Sequence, residues 1–370
     1  MSFDKFILNS NNIENKRDYS NKITKTIVNL VGLICLIISL LVTFDFIPEQ
    51  IWSKSFQKDY ESGRYGDLYF LNLVDYFKVE YETKKIPSFS TTNYQSEINE
   101  ADILLFGDSF TAMESRDVQL PYLLKDSTNK KIFVIKSSKI LNDLNNLKFA
   151  KQQKKKVLIY QFVERGIFKN FEVLSNEDDR SLIKIYNFLM TLKVGNIEKR
   201  LNQLLQRSLI TYEAYKYLAS AKFDHLKILT QITPIYKAEP PWLFYYEDVN
   251  QSKTSFYYKF TQTELEILVM NAKKLQKELI EKYNLELIIM PIPNKYTIYN
   301  EKINTDKYNN IIPEFCHKLT ENGIQSINLY DDFRESEKLL YYPTDTHWNQ
   351  NGINIALLKL LEVLKTLKNK

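Results

Sequence analysis

From Ala101 onward, short apolar runs alternate with segments of helical periodicity, and nothing else in the chain constrains its fold as tightly. Ile103 to Phe106, Lys131 to Ile135, Val157 to Val163, Leu285 to Met290 and Ile324 to Leu329 each read as a strand. The first, four apolar residues bounded by Asp102 and Gly107, reads as buried on both faces. Helical patterns lie between them: Leu141 to Gln152, Thr261 to about Lys282, and Tyr308 to Glu321, with a last helix from about Asn351 to Leu367. Thr261-Gln262-Thr263-Glu264 has capping-box form, and Asn284 and Gly323 sit where helices end. Strands separated by helices need crossover connections, so the sheet is expected to be parallel. The pattern predicts an α/β fold: a flavodoxin-like three-layer sandwich with a central parallel sheet of about five strands.

The alternation breaks at about 170–260. Leu182, Ile185, Leu189, Leu192, Leu201, Leu204 and Leu205 keep helical spacing there, and Lys237 to Tyr258 is rich in aromatics. This predicts a mostly helical insertion ending in an irregular or β-ribbon segment. Its aromatics, Tyr245-Tyr246 among them, have two readings: they stack on sugar rings, or they pack the insertion onto the domain.

No charge occurs between Lys25 and Asp45, and Ile27 to Phe44 is almost wholly apolar. A run of about 18 such residues is long enough for a bilayer core. It lacks the small-residue cleavage site of a signal peptide. Residues 23–46 are therefore expected to form an uncleaved transmembrane helix. Lys16, Arg17, Lys22 and Lys25 precede it, so the tail 1–22 is expected in the cytoplasm and the bulk outside. Residues 47–99 read as a connector, and 100–370 as the catalytic domain. The formal charge of +5 over 370 residues gives no electrostatic footprint for nucleic acid. Cys35 lies in the expected anchor, which leaves Cys316 alone in the remainder and excludes a disulfide within it. No Cys/His grouping has metal-ligand spacing, and neither metal nor cofactor is expected.

Two stretches carry chemistry. After the first strand, Gly107 allows a tight turn, and Ser109 to Glu114 reads as a helix start. A serine there suits a nucleophile whose oxyanion is met by backbone N–H groups; an N-cap serine is the plainer reading. Near the C-terminus, Pro343-Thr344-Asp345-Thr346-His347 holds an Asp and a His two residues apart. In an extended segment such residues share one face, roughly 6.6 Å apart, which suits a base and its orienting carboxylate. Of the three histidines, His225 and His317 fall in helical patterns, which leaves His347 as the base. Asp108 is expected to satisfy N–H groups at the turn. Ser109 follows strand one, Glu164 and Arg165 follow strand three, Asn294 and Lys295 follow strand four, and Asp345 and His347 come after strand five. In an open parallel sheet all of these fall at the carboxyl edge, where ligands bind.

Gly107-Asp108-Ser109-Phe110 resembles the nucleophile block of SGNH (GDSL-like) hydrolases. Asp345-Thr346-His347-Trp348, followed by Gly352, is similar to the variant of alginate O-acetyltransferase-like proteins and the related DHHW group. Val163-Glu164-Arg165 and Pro293-Asn294-Lys295, with Tyr299, are similar to the same subgroup, so the resemblance spans roughly 100–355 apart from the insertion. It implies the SGNH fold and a Ser109–His347–Asp345 triad. Strand two ends in Ile135-Lys136-Ser137-Ser138 where the superfamily has a glycine, and strand three has Gln161 in place of Gly-x-Asn-Asp. Gly107, Asp108 and Gln161 therefore stand as oxyanion or turn support. Arg165, Lys295, Asn294, Trp348 and Tyr342 stand as substrate-binding residues. Arg165 and Lys295 also have a bracing reading, with Arg165 paired to Glu164 or Asp108.

The function implied is O-acetyl transfer, through an acetyl-serine, to hydroxyls of a cell-surface or secreted polysaccharide. The implied acetyl donor is a multispanning membrane-bound O-acyltransferase. A carbohydrate acetylesterase uses the same triad. A catalytically inactive, anchored glycan-binding or assembly protein is the reading of another class.

Overall fold

The computed structural model describes residues 24–34, 36–37, 65–81, 95–111, 119–172, 212–229, 234–250, 252–253 and 255–368. The chain divides into two compact units, Met1–Phe56 with Lys184–Tyr215, and Gln57–Ile183 with Lys216–Lys370. In the first unit, residues 24–34 and 36–37 are helical, and Ile27, Val28, Leu30 and Val31 are all more than half exposed. No helix among the described residues is long and apolar enough to cross a membrane. The remainder of the expected 23–46 span, Cys35 included, lies outside the described residues, as do the 1–22 tail and much of the 47–99 connector.

In chain order the second unit contains α1 (Asp67–Asn72), α2 (Gln95–Glu100), β1 (Ile103–Gly107), α3 (Leu120–Thr128), β2 (Ile132–Lys136), α4 (Ile140–Asn146), β3 (Lys156–Val163) and α5 (Ile167–Glu172). After α6 (Tyr212–Leu226), which belongs to this unit from Lys216 on, come β4 (Ile235–Tyr236), β5 (Trp242–Leu243), α7 (Gln262–Glu278), β6 (Leu285–Ile292) and α8 (Lys295–Tyr299). α9 (Ile311–Glu321), β7 (Gln325–Ser326), α10 (Tyr330–Glu335) and α11 (Gln350–Lys368) complete it.

Five strands form one sheet in the order β2-β1-β3-β6-β7. Every neighbour pair is parallel, from Ile103 opposite Ile132 to Ile289 opposite Ser326. The order reverses between β1 and β3, and at such a switch point the carboxyl ends of two strands open a crevice. β1 is buried along its whole length, as an inner parallel strand should be. Alternate residues feed two cores. Leu104, Leu158 and Leu287 face α7 and α9, and Ile103, Ile159 and Ile288 face α11.

Local chemistry sets the ends of several elements. α7 starts in the expected capping box: Thr261 Oγ1 accepts from Glu264 N (3.1 Å) and Glu264 Oε2 accepts from Thr261 N (2.9 Å). It continues through a π-helical turn, Leu279–Tyr283, and stops at Asn284 with φ 58°. The fifth strand is shorter than the run from Ile324 to Leu329 predicts. Asn328 Oδ1 accepts the N–H of Tyr330 (3.0 Å), and this Asx turn diverts the chain into α10. Of the expected insertion, the described residues give α6 and an antiparallel ribbon of β4 with β5. Trp242, Phe244, Phe256 and Tyr296 form a separate buried cluster beside that ribbon. Trp242, Phe244 and Phe256 are therefore packing residues of the insertion, whereas Tyr245 and Tyr246 are only half-buried.

Candidate active site

The carboxyl end of β1 turns at Gly107 because nothing larger fits. A Cβ there would lie 1.8 Å from Thr111 Oγ1 and 2.8 Å from the Gln161 carbonyl. Asp108 secures the turn as expected of it: Oδ1 accepts from Phe110 N (2.9 Å) and Oδ2 from Val163 N (2.8 Å), which ties β1 to β3. Ser109 follows, exposed, in a turn closed by Thr111 N to Asp108 O (3.1 Å). The predicted helix start is thus a turn as far as Thr111. Residues 112–118 lie outside the described residues.

Asp345 and His347 meet in a way the sequence did not foretell. The segment is not extended. Tyr341 and Trp348 pair as an antiparallel bridge, and Tyr342 N donates to His347 O (3.2 Å), so residues 342–347 form a closed loop. Within it Asp345 Oδ1 lies 2.7 Å from both the backbone N and Nδ1 of His347. His347 Nε2 in turn lies 2.7 Å from Ser109 Oγ, 238 residues away in sequence. Asp345 is fully buried and His347 is 6% exposed. Phe110 packs on the imidazole, with ring centroids 4.6 Å apart, and Trp348 packs edge-on against Phe110. A hydroxyl, an imidazole and a carboxylate in this sequence of contacts form the arrangement in which a serine Oγ can pass its proton to Nε2 while Nδ1–H is held by a carboxylate.

Several residues expected at the substrate are buried in the fold. Lys295 is 2% exposed, and its Nζ donates to carbonyl oxygens of Leu243 (2.7 Å), Tyr342 (2.8 Å), Pro343 (2.5 Å) and Asp345 (3.1 Å). Burial pulls its ammonium down to about 7, while the charges of Asp345, Asp67 and Asp248 pull the other way. Four carbonyls suit an ammonium, which offers three N–H donors and accepts nothing. Lys295 therefore braces the loop rather than meeting substrate. Asn294 is also buried; its N–H goes to Glu164 Oε2 (2.8 Å) and its Oδ1 accepts from Arg165 (3.3 Å). Trp348, 3% exposed, is a packing residue. Tyr342 is half-buried, with its ring 4.7 Å from that of Tyr81.

Arg165 pairs with Asp248 Oδ1 (3.4 Å), not with Glu164 or Asp108, and lies 5.0 Å above the Tyr245 ring. Burial raises Asp248 to about 6 against the pull of Arg165, and raises Glu164 to about 7. Gln161 is fully buried, and neither amide atom has a hydrogen-bond partner. A cavity of about 450 Å³ opens at the carboxyl ends of β1 and β3, lined by Ser109, Ser138, Arg165, Lys169 and Glu247 among others. Gln161 lines the same cavity as Ser109, with both side-chain amide atoms closed to solvent.

Asp67 was not anticipated. Its backbone N donates to Asp345 Oδ2 (2.8 Å), and its carboxylate accepts from Thr346 N (2.7 Å) and Thr346 Oγ1 (2.5 Å). Desolvation, then the charge of Asp345, pushes the Asp67 carboxyl above its ordinary value. The Gly66-Asp67 step has no pattern that marks it, and only the fold reveals its place.

No curated protein matches this chain, and no solved structure matches it. Residues 235–369 match the model of a family described as SGNH hydrolase-like domain, acetyltransferase AlgX. That stretch carries Lys295, Asp345 and His347, and over it the chain's likeness to the alginate O-acetyltransferase-like SGNH proteins is shown.

Proposed function

We propose that the protein is a membrane-anchored, extracytoplasmic O-acetyltransferase acting through an acetyl-Ser109 intermediate. The observation that carries this reading is the continuous contact from Ser109 Oγ to His347 Nε2 and from His347 Nδ1 to Asp345, at 2.7 Å in each step. The AlgX-type match supports chemistry of the acetyltransferase or esterase kind. In the first half-reaction His347 Nε2 takes the Ser109 proton as Oγ attacks the acetyl carbonyl of an ester donor. Collapse of the tetrahedral anion returns that proton to the donor's leaving oxygen. In the second half, His347 takes the proton of an acceptor hydroxyl, the new ester forms, and Ser109 regains its proton. The Ser109 N–H is the first oxyanion donor in this reading.

The acceptor is a sugar hydroxyl of a surface or secreted polysaccharide, and the acetyl donor is a multispanning O-acyltransferase partner. The uncharged run between Lys25 and Asp45 supports anchoring. The test is incubation of the full chain with an acetyl ester, with and without glycan. Mass spectrometry should find acetyl on Ser109, acetylated glycan should exceed free acetate, and Ser109→Ala should lower the rate by at least about 10⁴-fold. Free acetate alone assigns an esterase. Full glycan acetylation in a Ser109→Ala strain assigns a non-catalytic role.

A further inference from the structure

We infer that Asp67 is a positioning residue of this site: its backbone N–H and carboxylate clamp Asp345 and Thr346, and so hold His347 against Ser109. The inference rests on the acyl-transfer reading above. It enlarges the site to include residues 65–81, which precede every strand of the sheet.

The clamp is built from both sides. Asp67 N reaches Asp345 Oδ2 at 2.8 Å, on the carboxylate oxygen that His347 does not use. The Asp67 carboxylate takes Thr346 N on Oδ1 and Thr346 Oγ1 on Oδ2, and Oδ2 stands 3.6 Å from His347 Nδ1. Around this centre Tyr69 N donates to Thr344 O (3.2 Å), Thr344 Oγ1 to Tyr65 O (2.8 Å), and Thr344 N to Tyr81 Oη (2.8 Å). Gly66 makes the approach possible. Its φ is 91°, and a Cβ would lie 2.2 Å from the Thr344 carbonyl.

The residues on either side of Thr344 and Thr346 orient the imidazole, so freedom in this loop becomes freedom in Nε2. A base displaced by as little as 1 Å loses much of its effect. Asp67 Oδ2 thus also faces the ring nitrogen beside which positive charge appears when Nε2 takes the serine proton. Asp67, Asp345 and His347 lie close enough for their ligand atoms to share an ion. Each of these groups is already engaged by hydrogen bonds within the cluster, so the arrangement reads as a clamp.

The experiment uses the full chain in detergent, with 4-nitrophenyl acetate as the acetyl donor. kcat and KM are measured for wild type, Ser109→Ala, Asp67→Ala, Asp67→Asn, Asp345→Asn and the Asp67→Ala/Asp345→Asn double variant. Asp67→Ala should lower kcat by about 10- to 100-fold with KM within about twofold, because Asp67 acts through His347 and not on substrate. Asp67→Asn, which keeps an acceptor for Thr346 N, should lose less. The double variant should fall little below Asp345→Asn, since both changes act on one imidazole. A wild-type kcat in Asp67→Ala overturns the inference, as do effects that simply multiply in the double variant. Should Asp67→Ala fail to fold by circular dichroism, Asp67→Asn and Thr346→Val probe the same contact, and wild-type kcat in both overturns it. Wild-type activity in Ser109→Ala would instead defeat the acyl-transfer reading and leave the role of Asp67 without a reaction to serve.

Discussion

Lys295 Nζ lies 3.1 Å from the backbone carbonyl of Asp345, the residue whose side chain holds His347. The ammonium gathers carbonyls from β5 and from the Asp345–His347 loop around one point. In Lys295→Met, the Pro343 and Tyr342 carbonyls keep a second donor, Leu243 N and Asp345 N respectively. The Leu243 and Asp345 carbonyls lose the ammonium as a donor. Taking the donor from a buried acceptor costs about 1–3 kcal/mol, so thermal or urea unfolding should show a loss of about 3 kcal/mol. Because Lys295 is buried, kcat should fall with KM nearly unchanged; a raised KM with normal kcat would return Lys295 to the substrate.

Glu164 gives a pH signature. It is buried, its carboxyl stands at about 7, and its Oε2 accepts from Asn294 N and Thr297 Oγ1. Because the folded value is raised, the folded chain holds a proton that the unfolded chain has released. Stability from this group is complete below about 4.5 and is lost as pH rises through about 7. The loss is on the order of 3 kcal/mol. Glu164→Gln removes the titration, so urea unfolding at pH 4.5, 6 and 8 should show the variant gaining on wild type as pH rises. Parallel curves would mean that burial does not raise the Glu164 carboxyl in the folded chain.

The sheet was legible because burial writes itself into a strand. Ile103 to Phe106 and Val157 to Val163 have to be apolar to sit inside, and the crossover helices repeat at 3.6. The Ser109, Asp345 and His347 positions were legible as residue types at the right edge. How Asp345 reaches His347 was not: the meeting depends on a loop closed by the Tyr341–Trp348 bridge, a pairing with no periodic signature. Lys295 illustrates the limit for charge. A lysine after a strand suggests a ligand to an anion, and no local pattern announces that four backbone carbonyls will enclose it. Asp67 was least legible, because its role depends on contacts with Thr346 and Asp345 some 280 positions away.

Gly107 separates a steric demand from a conformational one. It is not among the described glycines with positive φ, Gly66 and Gly323, so its backbone is open to other residues. The obstacle is the predicted Cβ position, 1.8 Å from Thr111 Oγ1 and 2.8 Å from the Gln161 carbonyl. Gly107→Ala should cost about 1–3 kcal/mol by overpacking and move the turn that carries Ser109. Acetyl-ester turnover should fall far more than stability. Pairing it with Thr111→Ser, which removes only a methyl, should restore little, because the carbonyl clash remains.

Arg165 and Asp248 form a partly buried pair whose value depends on pH. Asp248 is 1% exposed and stands at about 6, raised by burial even though Arg165 lowers it. Below that pH the carboxyl is neutral in the folded chain, and the guanidinium contributes little through charge. Above it the carboxylate needs its cation. Breaking a buried pair by removing one partner costs about 3–5 kcal/mol; the 3.4 Å separation and the 19% exposure of Arg165 argue for less, about 2 kcal/mol. Arg165→Ala should therefore unfold in nearly the same urea range as wild type at pH 5 and in clearly less urea at pH 8. Adding Asp248→Asn should recover most of the loss at pH 8, since a neutral amide leaves no buried charge to compensate. An equal loss at both pH values, unrelieved by the second substitution, would mean that Arg165 stabilises through its packing over Tyr245 rather than through Asp248.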